Sequence, residues 1–262
     1  MAVSVDLNSD LGESFGVWRI GEDRGILPEI TSANIACGFH GGDPRVMRQT
    51  VRQALALGVG VGAHPGFPDL VGFGRRNISA TPDEVYTDTL YQIGALHAFC
   101  RAEGAALQHV KPHGQLNNMA FRDREMAMAL ATAVRDFSRE LILIAYGGEL
   151  LRAGEELGLL VAHEVYADRA YRPDGSLVPR SQPGALIEDP GQVAERAVAM
   201  VTEGGVRTAD GQWLALRADT ICLHGDTPGA ARLAARVRGA LQAAGVALKP
   251  LGEAISTRRP QG

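Results

Sequence analysis

The sequence predicts an α/β fold, a TIM-like (β/α) barrel of an irregular seven-stranded kind. Three observations predict it. Short apolar runs alternate with amphipathic segments along the chain, the pattern of parallel βαβ units. The 262 residues hold seven or eight such units, the usual size of that barrel. At least five of the apolar runs end in His, Lys, Asp or Glu beside glycine or proline, whereas an open sheet would gather its ligands near one switch point. No glycine- or proline-rich linker and no internal repeat divides the chain. A single barrel domain over residues 1–262 is therefore expected.

Taken in order, Val3 to Leu7 alternates as a first strand, and Asn8 to Glu13 reads as a polar loop carrying two carboxylates. Glu22 to Ile30 is weakly patterned, a short helix or loop. Thr31 to Cys37 reads as a second strand, followed by Gly38-Phe39-His40-Gly41-Gly42. Asp43-Pro44 opens a helix, since aspartate caps free N–H groups and proline suits the first helical position. Val46, Met47, Val51, Ala54 and Leu55 give that helix one buried face, and Gly58 stops it. Val59 to Ala63 is the third strand, ending in His64-Pro65-Gly66.

Phe67 to Asn77 is a loop whose Gly72-Phe73-Gly74-Arg75-Arg76 suggests a lid with basic contacts, not a dinucleotide fingerprint. Thr81-Pro82-Asp83-Glu84 is a capping box, and its helix runs to Glu103 and Gly104. Leu107 to Val110 is the fourth strand, followed by Lys111-Pro112-His113-Gly114 and a helix near Glu125 to Phe137. Leu141 to Ala145 is the fifth strand, Glu149 to Leu157 a helix, and Leu159 to Val165 the sixth strand. A long loop, Asp168 to Asp189, leads to a helix from Asp189-Pro190 to Gly204-Gly205. Gln212 to Leu216 is an edge strand or hairpin arm, and Thr220 to Leu223 a strand ending in His224-Gly225-Asp226. Thr227-Pro228 opens the last long helix, Val246 to Leu248 closes the set, and Arg258 to Gly262 reads as a frayed tail.

Composition narrows the function. A net charge of −4 gives no basic footprint for nucleic acid, and the scarcity of aromatics argues against stacking platforms. Cys37, Cys100 and Cys222 lie far apart, without CxxC spacing, as expected of reduced, packed thiols in a cytoplasmic protein. No apolar run approaches the ~18 residues of a membrane span, and the N-terminus lacks the pattern of a signal peptide.

In a barrel of this kind, chemistry is built at the C-terminal ends of the strands. Those ends supply Asp6, Asn8, Asp10 and Glu13, then His40, His64, Lys111 and His113, and further on Glu164, Asp168, His224 and Asp226. Four of the seven histidines fall there; His97, His109 and His163 fall inside a helix or strands and read as structural. Asp10 and Glu13 can cap a segment, or bind metal and act as acid and base. Lys111 can hold a carboxylate or stabilise an oxyanion, and Arg169 can clamp a carboxylate or pair with Asp168. His224-Gly225-Asp226-Thr227 joins a strand to a helix N-terminus and suits an anion or phosphate. No Walker motif and no GxSxG elbow occurs. Asp10 with His64 and His113 would make a His₂-carboxylate set for a divalent metal ion, though ligands from different strands leave no spacing signature.

At these motifs the chain resembles the LamB/YcsF family. The resemblance rests on residues 6–13, 32–44 and 62–69, on Gly72-Phe73-Gly74-Arg75-Arg76 and on Val110-Lys111-Pro112-His113-Gly114. It continues through Ala167-Asp168-Arg169-Ala170-Tyr171 and His224-Gly225-Asp226-Thr227-Pro228, spanning Asp6 to about Leu251 in the family's order. Gly41 stands where the family has alanine, and Gln115-Leu116-Asn117 where it has Ala-Leu-Tyr; neither touches an ionisable position. The resemblance implies a seven-stranded barrel related to metal-dependent deacetylases and glycoside hydrolases. It also implies an ATP-dependent 5-oxoprolinase that opens the 5-oxoproline (pyroglutamate) lactam to L-glutamate, with this chain as its first component beside subunits B and C. Phosphorylating the lactam oxygen would explain a need for ATP. On this reading Lys111 or Arg169 holds the substrate carboxylate, Asp10 or Glu13 with a neighbouring histidine activates water, and the His224-Gly225-Asp226 turn receives the phosphoryl group. Two other readings fit the same residues: a stand-alone metal-dependent amide or carbohydrate hydrolase, and a non-catalytic substrate-binding subunit.

Overall fold

Seven parallel strands pair in chain order and close on themselves, the last pairing both the sixth and the first. The structure is a computed structural model and describes residues 3–223 and 229–256. The strands of this closed TIM-like barrel are β1 (Ser4–Leu11), β2 (Ser32–Ala36), β3 (Gly60–His64), β4 (Leu107–Val110), β5 (Ile142–Ala145), β6 (Leu160–Tyr166) and β9 (Thr220–Cys222). Between β6 and β9 an antiparallel hairpin, β7 (Gly205–Arg207) and β8 (Trp213–Ala215), stands outside the barrel. The two-residue β10 (Ala247–Leu248) pairs with the start of β1.

The helices are α1 (Asp23–Ile26), α2 (Pro44–Ala56), α3 (Pro82–Glu103), α4 (Gly114–Ala120), α5 (Arg124–Phe137), α6 (Gly148–Glu156), α7 (Pro190–Thr202), α8 (Ala230–Ala243) and α9 (Leu251–Ala254). Their starts follow the capping chemistry of the sequence. The Asp43 side chain accepts from the N–H groups of Arg45 and Val46, the Thr81–Glu84 capping box is complete, and Asp189 accepts from Gln192. Thr227-Pro228, the fourth such start, lies outside the described residues, as does the expected tail from Arg258.

One expectation is corrected, and one helix is added. Asn8, Ser9 and Asp10 continue β1 and do not form a loop. Their polarity misleads because the barrel interior is itself polar: Asp6 and Asn8 turn inward and satisfy one another's neighbours, while Val5, Leu7 and Leu11 pack outward. The segment Gly114–Ala120, for which the sequence predicts no element, is helical, with Leu116 and Ala120 buried. It is too short, and too rich in amides, to show a helical period.

α9 plugs the bottom of the barrel. Leu251 and Ile255 pack against Ile142, Ile144 and Ala162 from inside, and the Leu251 and Gly252 N–H groups donate to Ser32 and Gln108 at the starts of their strands. The opposite end carries the loops that follow each strand, and there the chemistry gathers. No helix among the described residues is long and apolar enough to cross a membrane.

Candidate active site

The inward side chains form stacked polar layers. At the bottom, Asp6 accepts hydrogen bonds from Thr31, Ser32 and Thr220, and its burial pushes the carboxyl up to about 6. In the middle layer, Asn8 donates to Glu164 (3.0 Å) and Thr220 (2.7 Å), and Asn34 donates to Asn8 (2.7 Å). His109, expected to be structural, donates through Nε2 to Asn34 at 2.8 Å. Burial, then the Lys111 charge, push it down to about 3. Its ring fits because residue 62 is glycine: a Cβ there would lie 2.0 Å from His109 Nε2.

Above this layer Lys111, almost fully buried, reaches Asp10 Oδ1 and Glu164 Oε1, each at 2.8 Å, and Cys222 Sγ at 3.0 Å. Burial works against its charge, but Asp10, Cys222 and Glu164 hold the ammonium protonated well above the usual lysine range. Burial likewise opposes ionised Asp10, and His64 and Lys111 outweigh it, holding that carboxyl well below its ordinary range. The lysine charge is therefore engaged within the protein by two carboxylates, not left open for a ligand carboxylate. Cys222, read as a packed thiol, is buried in the core and is also a direct neighbour of this ammonium.

At the top lie His40, His64 and His113 with Glu13. One ligand atom from each of the four lies within 4.8 Å of every other, and all four residues are buried. His40 and His113 stack with centroids 3.7 Å apart, and His64 meets both edge-on. His64 Nδ1 donates to the Lys111 carbonyl at 2.7 Å, and His113 Nε2 donates to the Phe73 carbonyl at 2.8 Å. A carbonyl only accepts, so these contacts fix both tautomers. In the neutral rings, His64 Nε2 and His113 Nδ1 are then bare lone pairs, and they face each other at 3.0 Å. Glu13 Oε1 adds a third electron-rich atom, 3.4 Å from His113 Nδ1 and 3.2 Å from His40 Nε2. Burial, then the neighbouring histidines, push His40 far down and His113 down to about 3, so neither readily takes up a proton to relieve the contact.

Such a group calls for a cation. Donors around a tetrahedral ion of the zinc type stand about 3.3 Å apart, and ligating histidines commonly donate their outer N–H to a backbone carbonyl. His64 and His113 meet both conditions, while His40 Nδ1 has no hydrogen-bond partner among the described residues; the buried His/Glu group could hold a divalent metal. The carboxylate grouped with the histidines is Glu13; Asp10, expected in that place, borders the group with Oδ2 3.3 Å from His64 Nε2.

The loop after β3 lies over the histidines. Phe73 takes a left-handed φ of 54°, its ring edge-on to His40 and His113, with the Arg75 guanidinium 4.9 Å from the ring centroid. An Asp69–Arg76 ion pair ties the loop together. A Cβ on Gly74, itself at φ +62°, would come within 2.7 Å of His113 and 2.8 Å of His40, so only glycine lets this loop close on the rings.

Beside the group opens a cavity of ≈ 660 Å³, lined by Asp10, His64, Lys111 and His113 on the barrel side and by the loops after β3, β4, β5 and β6 on the other. Arg169 lines it too, donating through Nη2 to the Val178 carbonyl at 2.8 Å. Asp168 is buried at the same loop and is not among the lining residues. His224, Gly225, Asp226 and Thr227 lie outside the described residues. Sequence reasoning passed over Asn34, Tyr146, Tyr166, Arg122 and Arg180. Asn34 and Tyr166 were legible as inward positions two residues apart from others on their strands; the rest sit on loops without periodicity.

A closed parallel barrel with a buried histidine–carboxylate group at its C-terminal mouth defines a hydrolase-like architecture. The chain belongs to the LamB/YcsF family, whose model matches residues 5–256. The A subunit of 5-oxoprolinase from Thermococcus onnurineus is 55% identical over 254 residues, 97% of this chain and 100% of that protein. Its counterpart from Symbiobacterium thermophilum is 57% identical over 245 residues, 93% of this chain and 94% of its own. The crystal structure of a lactam utilization protein from Thermus thermophilus superposes with a TM-score of 0.90 at 52% identity, covering 94% of this chain and 99% of that one. A T48 deacetylase shares the fold alone, with a TM-score of 0.53 at 12% identity, covering 98% of this chain and 92% of the other.

Proposed function

We propose that this chain is the A subunit of an ATP-dependent 5-oxoprolinase, acting with subunits B and C to open the 5-oxoproline lactam to L-glutamate. One observation carries the reading. The buried histidine–carboxylate group opens on a cationic cavity, in a chain more than half identical over its length to proteins named as the A subunit of 5-oxoprolinase.

The lactam is a resonance-stabilised amide. Water adds at the ring carbonyl carbon, the C–N bond breaks, and the nitrogen takes up a proton to become the amine. Asp10 lines the cavity and touches His64, which places it to take the proton from water. Lys111 acts through Asp10 as a positioning residue, since its own charge is engaged by Asp10 and Glu164. Glu13, His64 and His113, with His40 beside them, would hold a divalent ion, which when bound supplies Lewis-acid polarisation. The Phe73 loop excludes water from that side of the histidines. ATP would enter by phosphorylating the lactam oxygen; ring opening by the first water then leaves an acyl phosphate, and a second water releases inorganic phosphate and glutamate.

The test is ATP- and 5-oxoproline-dependent glutamate release by the assembled complex, with and without subunits B and C. Asp10→Asn and His113→Ala are expected to lower the rate by about 10²–10⁴-fold; wild-type rates in both would overturn the scheme. The buried His/Glu group also favours a second reading, a metal-dependent amide hydrolase that needs neither ATP nor partners. Turnover by the isolated chain without ATP would select it.

A further inference from the structure

The cavity beside the histidines is more cationic than a free lactam requires. Among the described residues, five cationic side chains line it, Arg75, Lys111, Arg122, Arg169 and Arg180, against one lining carboxylate, Asp10, with Asp174 near enough to feel the Arg122 charge. Lys111 is engaged by Asp10 and Glu164, and Arg75 lies on the Phe73 ring. Arg122, Arg169 and Arg180 remain, on the outer wall formed by the loop after α4 and the long loop after β6. They come from two separate chain segments and bear on one another. Burial, then the Arg180 charge, disfavour the Arg169 cation, with the Asp168 charge acting the other way. Arg122 and Arg169 both act on the Tyr146 hydroxyl.

Arg169 is 8% exposed, and its Nε is a buried donor with no partner among the described residues. An unsatisfied buried guanidinium N–H is destabilising, and gathered arginines repel one another. Both costs are recovered when a doubly charged, multi-oxygen anion binds, since the planar fork pairs with phosphate or carboxylate oxygens two at a time. 5-Oxoproline brings one carboxylate on a small ring. The cavity, at ≈ 660 Å³, offers room and charge for a second, stronger anion.

Resting on the 5-oxoprolinase reading, we propose that Arg122, Arg169 and Arg180 form a phosphoryl-binding subsite. The ligand this chain takes is then a phosphorylated carboxylic acid, the activated form of the lactam, in preference to the lactam itself. Its formation moves the terminal phosphoryl of ATP to the lactam oxygen, with loss of the ring N–H proton and release of ADP. The activated species then enters with its carbonyl-derived carbon toward Asp10 and the histidines and its phosphoryl toward the arginine wall. Arg169 is thereby reassigned from the substrate carboxylate to the phosphoryl group.

The experiment is calorimetric titration of the full chain with four probes: 5-oxoproline, 2-amino-5-phosphonopentanoate as a stable carboxylate–phosphonate, inorganic phosphate, and ATP. Wild type is compared with Arg122→Ala and Arg180→Ala, both exposed positions whose loss leaves the core intact. The phosphonate is expected to bind at least ten-fold more tightly than 5-oxoproline, and each variant to remove most of that advantage while leaving 5-oxoproline affinity unchanged. Equal affinity for the two, or variants that weaken neither, overturns the subsite. ATP binding tighter than the phosphonate, with the same arginine dependence, also overturns it by making the nucleotide the ligand. Phosphonate binding without any 5-oxoproline-dependent glutamate release by the assembled complex would retain the subsite and remove the lactam reading.

Discussion

His64 Nε2 and His113 Nδ1 face each other at 3.0 Å as two lone pairs, because the opposite nitrogen of each ring is committed to a main-chain carbonyl. With both rings neutral, a cation between or beside them makes the contact favourable, in competition with a proton on His64 Nε2, which Asp10 Oδ2 faces at 3.3 Å. A divalent ion added to the purified chain should therefore raise its melting temperature. At a hundred-fold excess over the dissociation constant the gain is about 2.7 kcal/mol. His64→Ala and His113→Ala should each abolish the shift and the stoichiometric metal measured by elemental analysis. A wild-type chain whose melting is indifferent to zinc, manganese and nickel alike would sink this reading.

Lys111 stands between Asp10 and Glu164 with almost no exposure, so removing its charge leaves two carboxylates facing across the barrel. Lys111→Met keeps the volume and loses the charge. It should cost about 3–5 kcal/mol, the range for breaking one side of a buried ion pair. Denaturant unfolding reads this directly, and Lys111→Met with Asp10→Asn should recover part of the loss. A single variant as stable as wild type would refute the account.

Asp6 makes a pH prediction. Burial raises its carboxyl from 3.8 to about 6, so across that window the folded chain binds more protons at this site than the unfolded chain does. The stability from protonated Asp6 is complete below pH 3.8 and is lost as pH rises through about 6. The swing is about 3 kcal/mol. Asp10 runs oppositely, since its lowered pKa adds stability that is lost toward acid. The informative quantity is therefore the difference between wild type and Asp6→Asn, which should change across that window. A constant difference from pH 4 to pH 7 would show that Asp6 does not titrate there.

Gly74 is the loop position that tolerates no side chain, from both its φ of +62° and its distance to the rings. Gly74→Ala should lift the Phe73 loop, break the carbonyl contact to His113, and cost about 1–3 kcal/mol. Metal affinity and glutamate release should fall further than that stability loss explains. Intact metal binding in this variant would separate the loop from the histidine group.

The chain by itself determined the barrel, because strand polarity and helix caps are local. Asp43-Pro44, Thr81-Pro82 and Asp189-Pro190 announced helix starts, and at least five apolar runs ended where an ionisable residue met glycine or proline. It also marked His40, His64 and His113 as a class apart from His97, His109 and His163. What only the tertiary structure decided was partnership. Glu13 stands among the histidines, while Asp10 stands one step down between Lys111 and His64. Both carboxylates lie in one short stretch, and inward or outward placement turns on a strand that continues through Asp10 and ends before Glu13. Lys111 at a strand end looked open to a ligand, yet carboxylates from β1 and β6 engage it. The arginine wall joins residues more than forty positions apart in the chain. Closure of the barrel sets these distances, and no spacing along the sequence encodes them.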